Sequence, residues 1–262
     1  MSNAALQVAR TGLDAQNTKM RVIANNLANV NTTGFKRDRA DFETLAYQNI
    51  VTPGAPSDAQ NRFASGVQLG TGVRLAGIGK IATQGTLQTT ENAMDMAIEG
   101  AGYFQLEMPD GTIGYTRAGN FSLTAEGNMV TSDGLPLIPA IQVPEGATAI
   151  TIGNNGVVTA SLAGESEPSE LGQIELANFT NPAGLLSVGN NVLTETAASG
   201  APQVGEGGQD GLGNIRQGSL EGSNVNIVEE LVNMIETQRA YEVNSKMISA
   251  TDEMLQFVNQ QI

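Results

Sequence analysis

The 262-residue sequence predicts an α+β fold in which paired N- and C-terminal coiled-coil-type helices flank an inserted, antiparallel β-rich domain. Three observations carry that expectation. The chain beyond Gly222 holds neither glycine nor proline, and apolar pairs return every seven residues at Ala240-Tyr241, Met247-Ile248 and Met254-Leu255, followed by Val258 and Ile262. Near the other end, Leu6, Ala9, Leu13, Gln16, Met20, Ile23, Leu27 and Val30 stand three and four apart, and only Gln16 breaks the apolar seam. Between the ends, apolar runs are short and interrupted by turn residues.

Taken in order, the N-terminal seam runs into Asn29-Val30-Asn31-Thr32-Thr33-Gly34, where Gly34 suits the left-handed position after a helix. Phe35 to Gln48 is a charged continuation, read as a short helix or an extended arm. From Asn49 to Gly72 the composition turns to Pro53-Gly54, Pro56, Ser65-Gly66 and Gly70-Thr71-Gly72, an irregular loop long enough to be functional in its own right. In the centre, strands at 102–108 and 112–117 flank Pro109-Asp110-Gly111, and strands at 120–124 and 129–132 flank Ala125 to Asn128. Strands at 149–152 and 157–162 flank Gly153-Asn154-Asn155-Gly156, and 171–180 adds one more. Frequent turns without helical periodicity point to a sandwich or barrel. Gly205 to Gly213 is a second glycine-rich passage. Last, Asn226 and Glu229 form a capping box ahead of a helix from Ile227 to Gln260, about 50 Å long at about 1.5 Å per residue. Ile227, Val228, Leu231, Met234 and Ile235 continue its stripe. The resulting division is 1–34 with 224–262 as a discontinuous helical assembly domain, 35–74 with 205–223 as connecting region, and 75–204 as β-rich outer domain.

Composition removes whole classes of chemistry. Cysteine, histidine and tryptophan are absent, so thiol chemistry, zinc-thiolate sites and the commonest general base are missing. A formal charge of −14 argues against nucleic-acid binding. The charge is uneven: residues 1–39 carry six basic and two acidic groups, whereas 221–262 carry two and seven, so the two ends attract. No run is apolar enough to insert in a membrane, and the start lacks a continuous apolar segment of the secretory kind, since Ala4-Ala5-Leu6 is followed by Gln7. Gly205 to Gly211 lacks the carboxylate series of a calcium loop, and Glu165, Glu167 and Glu170 around Pro168 read as a solvated acidic loop. No nucleophile is paired with a base. No catalytic residue, cofactor or metal ligand is assigned, and an enzyme is not expected.

Four segments, in order along nearly the whole chain, carry a resemblance to a known family. Leu13-Asp14-Ala15-Gln16 with Asn25-Asn26-Leu27-Ala28-Asn29-Val30-Asn31-Thr32-Thr33-Gly34-Phe35-Lys36 resembles the N-terminal signature of bacterial flagellar rod and hook proteins. Gly85 to Phe104 and Tyr115 to Phe121 are similar to the family's entry into its β domain. Gly218 to Asn226 and Gln238-Arg239-Ala240-Tyr241-Glu242 resemble its C-terminal signature. The family-signature positions are thus Asn25, Asn26, Asn29, Asn31, Gly34, Phe35, Asn224 and Tyr241. Chain length, and a segment holding Tyr47, Pro53, Gly54 and Pro56, make the distal-rod members the nearest match. Met1-Ser2-Asn3 departs from the more apolar opening usual in the family.

The resemblance implies an axial structural protein, exported without signal cleavage through the flagellar type III apparatus and polymerised into a rigid hollow drive shaft. That shaft would cross from periplasm to outer membrane, joining proximal rod and hook subunits inside the P-ring and L-ring. Read with the seams, it predicts inter-subunit helix packing through Leu6, Leu13, Met20, Ile23, Leu27, Val30, Leu231, Met234, Tyr241, Ile248, Leu255 and Ile262. It also predicts termini that order fully only on assembly, and a stiffening role for the loop at 49–72. The alternatives are another axial subunit, from the proximal rod or the hook, and a secreted β-domain binder or wall hydrolase.

Overall fold

A computed structural model of the chain describes residues 2–54, 56, 62, 64–162 and 168–260. The fold is α+β, with one long helix near each end and antiparallel strands between. The chain divides into two compact units. One comprises residues 1–27, 38–79 and 227–262, and the other 28–37 and 80–226.

The first unit holds α1 (Ser2–Ala28), β1 (Asp38–Thr44), β2 (Gln48–Val51), β3 (Val67–Leu69), β4 (Val73–Lys80) and α2 (Ile227–Gln260). Strands β1 and β4 pair. Leu45 N–H donates to Gly72 O (2.9 Å), Thr71 Oγ1 donates to Ala46 O (2.7 Å), and Arg74 ion-pairs with Glu43, so the pair is antiparallel. Residues 35–48, read as helix or extended arm, are extended over β1. Residues 55, 57–61 and 63 of the expected loop at 49–72 lie outside the described residues, and the described part is more regular than its composition indicates. Strands β2 and β3 form an antiparallel ribbon with Gln48 opposite Leu69 and Val51 opposite Val67, and Pro56 bridges Arg62 further along.

The helices run antiparallel. Asn26 of α1 hydrogen-bonds Glu230 of α2 (3.4 Å), and fourteen residues earlier Gly12 faces Asn244, fourteen residues further along α2. A Cβ at Gly12 would stand 3.0 Å from the Asn244 side-chain nitrogen, so glycine permits that approach.

The second unit holds β5 (Leu87–Thr89), β6 (Met96–Glu99), β7 (Tyr103–Glu107), β8 (Ile113–Thr116), β9 (Phe121–Leu123), β10 (Met129–Thr131) and β11 (Leu137–Ile138). It continues with β12 (Ala147–Ile152), β13 (Val157–Leu162), β14 (Ser169–Gln173), β15 (Glu175–Asn178), β16 (Leu186–Gly189), β17 (Val192–Thr194), β18 (Gln203–Glu206), β19 (Asn214–Gln217) and β20 (Ser219–Glu221). Seven strands form one sheet, ordered β16-β17-β8-β7-β15-β18 with β11 also on β7, and β12-β13-β14 form another. The larger sheet is open rather than a closed barrel.

Alternation explains why β7 is buried on both faces. Phe104 and Leu106 enter one apolar cluster with Met96, Ile98, Phe121, Ile174 and Ile215, while Tyr103 enters a second with Tyr115, Phe179 and Leu193. Phe179 meets the Tyr115 ring edge-on at 4.8 Å. Residues 171–180, expected as one strand, are split between β14 and β15, which join different sheets. Residues 205–223, expected as a connection, carry β19 and β20 and the end of β18. Strand β19 pairs with β6, and β20 with β5, so the outgoing and returning chain are zipped together.

Candidate functional site

The two helices carry the surface of interest, beginning with what holds them to each other. In α1 the side chains turned inward are Ala9, Val22, Ile23 and Asn26, with Leu6, Leu13, Gln16, Met20 and Leu27 half-buried. In α2 the inward positions are Glu230, Asn233, Met234, Thr237, Ala240, Asn244, Ile248 and Thr251, spaced three and four apart. Most of these are small or polar. Thr237 Oγ1 and Thr251 Oγ1 satisfy themselves on the α2 backbone, bonding to Asn233 O (2.6 Å) and Met247 O (2.7 Å). The inner face of α2 therefore contributes little apolar burial.

The opposite face of α2 is apolar and exposed. Val228, Val232, Ile235, Val243, Met247, Met254 and Phe257 recur at helical spacing, interrupted only at the Arg239 and Ala250 positions. Leu231 and Tyr241 are exposed as well. A helix with apolar residues around most of its circumference is the kind that is buried on several sides in its working state. The seven-residue reading included Val228, Ile235, Met247 and Met254 of this stripe but merged them with Met234 and Ile248, which are half-buried, and left out Val232, Val243 and Phe257. Three-four spacing counted from Val228 separates the two faces.

Of the residues singled out from sequence, Met234 and Ile248 are half-buried towards α1, and Leu231 and Tyr241 are exposed. Leu255 lies within α2, and Ile262 is outside the described residues. Val30 is not helical: α1 ends at Ala28, and Val30 sits in the turn that follows, where Thr32 N–H closes onto Asn29 O (3.2 Å). Glu165 and Glu167 are also outside the described residues, whereas Glu170 is in β14.

The signature asparagines act as structural ties. Asn26, buried at the end of α1, imitates a strand residue. Its Nδ2 donates to Asp38 O and its Oδ1 accepts from Asp38 N–H, both at 2.9 Å, fastening β1 to α1. Asn25 Nδ2 adds a bond to Asp38 Oδ2 (3.3 Å), and Asn29 Oδ1 accepts from Thr32 Oγ1 (3.1 Å), whereas Asn31 is exposed.

In the second unit Asn224 accepts from Arg37 N–H (2.7 Å) and donates to Ile81 O (2.8 Å) and Thr83 O (3.0 Å), clamping two passing segments. Gly34 adopts φ +70°, and a Cβ there would lie 2.6 Å from Arg117 and Ala118 backbone atoms. Phe35 is buried under Lys80, whose ammonium stands 5.4 Å from the ring centroid.

Beneath Phe35 lies an ion cluster. Lys36 Nζ stands 2.6 Å from Glu221 Oε1, which also accepts from Gly85 N–H (2.8 Å), and Lys36 donates to Thr83 O (2.8 Å). Arg117 Nε is 3.3 Å from Glu221 Oε2, and its Nη2 donates to Gly100 O (2.5 Å). Burial holds the Lys36 ammonium below its usual pKa, with the Glu221 charge opposing that shift.

In the first unit Tyr47, Ile50, Val67 and Leu69 expose apolar side chains along the β2–β3 ribbon, and Leu75 and Ile78 do so on β4. Pro53 and Gly54 form the turn after β2, and Gly54 takes φ +80°. Among the described residues no group of three or more acidic side chains converges as a metal site, and no helix is long and apolar enough to cross a membrane.

Comparison with known proteins addresses the same residues. Residues 6–36 match the family described as flagella basal body rod protein, 97–160 the flagellar hook protein FlgE/F/G D1 domain, and 216–261 the flagellar basal body rod FlgEFG protein C-terminal. The chain is 50% identical over 256 residues to the flagellar basal-body rod protein FlgG of Buchnera aphidicola subsp. Acyrthosiphon pisum, covering 98% of each chain. It is 46% identical over 259 residues to the FlgG protein of Agrobacterium fabrum, covering 98% of this chain and 99% of that one. With the FlgG protein of Bacillus subtilis it shares 38% identity over 251 residues, 94% of each.

Proposed function

Because the chain belongs to the FlgG family of flagellar basal-body rod proteins, and is thus a structural subunit of the distal rod and not an enzyme, we propose how it polymerises. The α1–α2 pair acts as a coiled-coil-type building block. The outward stripe of α2, together with the apolar ribbon of β2 and β3, is buried against neighbouring copies. One observation carries this reading: α2 keeps small and polar residues towards α1 and turns Val228, Val232, Ile235, Val243, Met247, Met254 and Phe257 to the outside. An apolar face of that extent, unfilled within one chain, is an association surface. Repeated head to tail without closure, such contacts give a filament.

The self-polymer forms a hollow, stiff shaft that carries motor torque across the periplasm to the outer membrane, bearing proximal rod subunits at one end and hook subunits at the other. The P-ring and L-ring surround it, and its subunits arrive through the type III export apparatus without signal cleavage. Free subunits have weakly ordered terminal helices, since α2 brings only Met234, Ala240 and Ile248 as apolar side chains to its inner face, which offsets little of the entropy of ordering so long a helix. The decisive experiment is sedimentation of the full chain beside a form lacking 1–35 and 225–262. Rods must pellet only with the full chain, and rods from the truncated form would overturn the proposal.

A further inference from the structure

Asn26 facing Glu230 and Gly12 facing Asn244 set the register of the two helices within one subunit. Counted from those contacts, Arg10 comes level with Lys246 and Arg21 with Ile235, so neither arginine meets an acid inside the chain. Both arginines are exposed on α1, as are Glu242 and Glu253 on α2. Among the described residues none of these four side chains enters an ion pair or a hydrogen bond. The imbalance runs along both helices: α1 holds three basic residues and one acidic, and α2 two basic and six acidic. Asp14 and Lys246 each offset part of their own helix's charge without changing its sign.

Position matters as well as sign. Arg10 and Arg21 are eleven residues apart, and so are Glu242 and Glu253. Eleven residues make about three helical turns and about 16 Å, so each pair leaves its helix in one direction and at a matching separation. Both pairs border apolar surface. Glu242 and Glu253 continue the line of Ile235 along one border of the outward stripe, and Arg10 stands between the half-buried Leu6 and Leu13.

We propose that α1 of a second copy packs along this border of the α2 stripe, with its Arg10 and Arg21 against Glu253 and Glu242. The inference rests on the polymer reading above and names the surface that meets the stripe. Copies repeated head to tail share one direction, so α1 of one and α2 of the next stay antiparallel, which matches Arg10 with Glu253 and Arg21 with Glu242. The arginine stems lie over apolar surface while their guanidinium groups reach the carboxylates at its edge. The rival arrangement, α2 against α2, sets an acidic helix against its like and closes as a dimer.

The test compares two full-length charge reversals, R10E/R21E and E242R/E253R, separately and mixed in equal amounts, by the protein left in the supernatant after ultracentrifugation. Turning two exposed attractions into repulsions raises the critical concentration of each variant about tenfold. The mixture returns towards the wild-type value, because each reversed helix then meets the opposite charge on its neighbour. Attraction within one chain gives no such rescue. Reversals without effect overturn the pairing, and so does a mixture that polymerises no better than either variant alone. Should a reversal unfold the chain, R10Q/R21Q carries the test through salt. The wild-type critical concentration climbs with sodium chloride and that of the variant climbs less; equal slopes overturn the proposal. A wild-type chain that forms no polymer overturns the polymer reading itself, which separates that failure from failure of the pairing.

Discussion

The outward face of α2 is tested most directly by trimming it without disturbing the helix. In V243A/M247A, two neighbouring side chains on that face, 60% and 50% exposed in the free chain, lose their apolar ends. Removing two methyl groups from valine and three heavy atoms from methionine deletes about 1.6 and about 2.4 kcal/mol of transfer free energy at about 0.8 kcal/mol per group. Only the exposed share is available to an interface, which leaves about 1 kcal/mol from each position, or about 2 kcal/mol together. At about 1.4 kcal/mol per decade the critical concentration for polymerisation rises roughly thirtyfold.

The assay is the protein remaining in the supernatant after ultracentrifugation, plotted against total protein. Alanine is the better helix former at both positions, so a weaker polymer cannot be attributed to a weaker α2. Monomer unfolding by urea is expected to shift by less than about 0.5 kcal/mol. An unchanged critical concentration would remove this face from the interface. A strongly destabilised monomer would show that it packs inside the subunit instead.

Four other outcomes are expected. Asn26→Ala strips both hydrogen bonds from Asp38 N–H and C=O and costs the assembled subunit about 2 kcal/mol, a rise of more than about tenfold in critical concentration by ultracentrifugation; a rise below about twofold would deny Asn26 its tying role. Gly34→Ala meets both a φ of +70° and backbone atoms at 2.6 Å, so it costs more than about 1 kcal/mol, and a melt like wild type would contradict that geometry. Because burial lowers the Lys36 pKa, the unfolded chain binds more protons than the folded chain between that lowered value and the ordinary 10.5. Lys36 therefore makes stability rise with pH across this window, and Lys36→Arg, which does not titrate there, flattens the rise in denaturation curves taken through it; an identical slope refutes the assignment. Deleting residues 49–72 removes the β2–β3 ribbon and should give rods that bend in electron micrographs, whereas straight rods would take stiffness away from that segment.

Sequence patterns exposed some of this organisation and concealed the rest for identifiable reasons. The length of α2 was legible because no glycine or proline follows Gly222, and the hairpin turns at Gly111 and Gly156 were legible because each glycine takes a positive φ. Strands β5 and β6 were not recognised, since their partners β20 and β19 lie more than a hundred residues away and local alternation is weak. The glycines at 205–213 resembled a flexible link, yet Gly213 sits where a Cβ would strike Glu99 O at 2.5 Å, so glycine there permits close packing. Lys36, Arg117 and Glu221 share no spacing rule. Only the fold brings them together, although each lies in a segment that carried the resemblance: Lys36 closes the N-terminal one, Arg117 lies in Tyr115 to Phe121 and Glu221 in Gly218 to Asn226.

The two units solve opposite problems with the same chemistry. The β-rich unit commits its aromatic and branched side chains inward, with Phe104, Phe121 and Ile215 essentially inaccessible, so its core is complete in one chain. In the helical unit the inner positions of α2 go mostly to small or polar groups, several of which specify geometry. Gly12 allows close approach to Asn244, and Asn26 measures out the distance to Asp38 and Glu230. Such contacts set an antiparallel register but supply little driving force, because hydrogen bonds exchanged with water return only about 1 kcal/mol each. On the proposed assembly, the large apolar groups exposed on α2 are covered by another copy. The proposed assembly therefore has register chosen within the subunit and stability supplied by the polymer, which would discourage a free chain from becoming a finished fold with no reason to assemble.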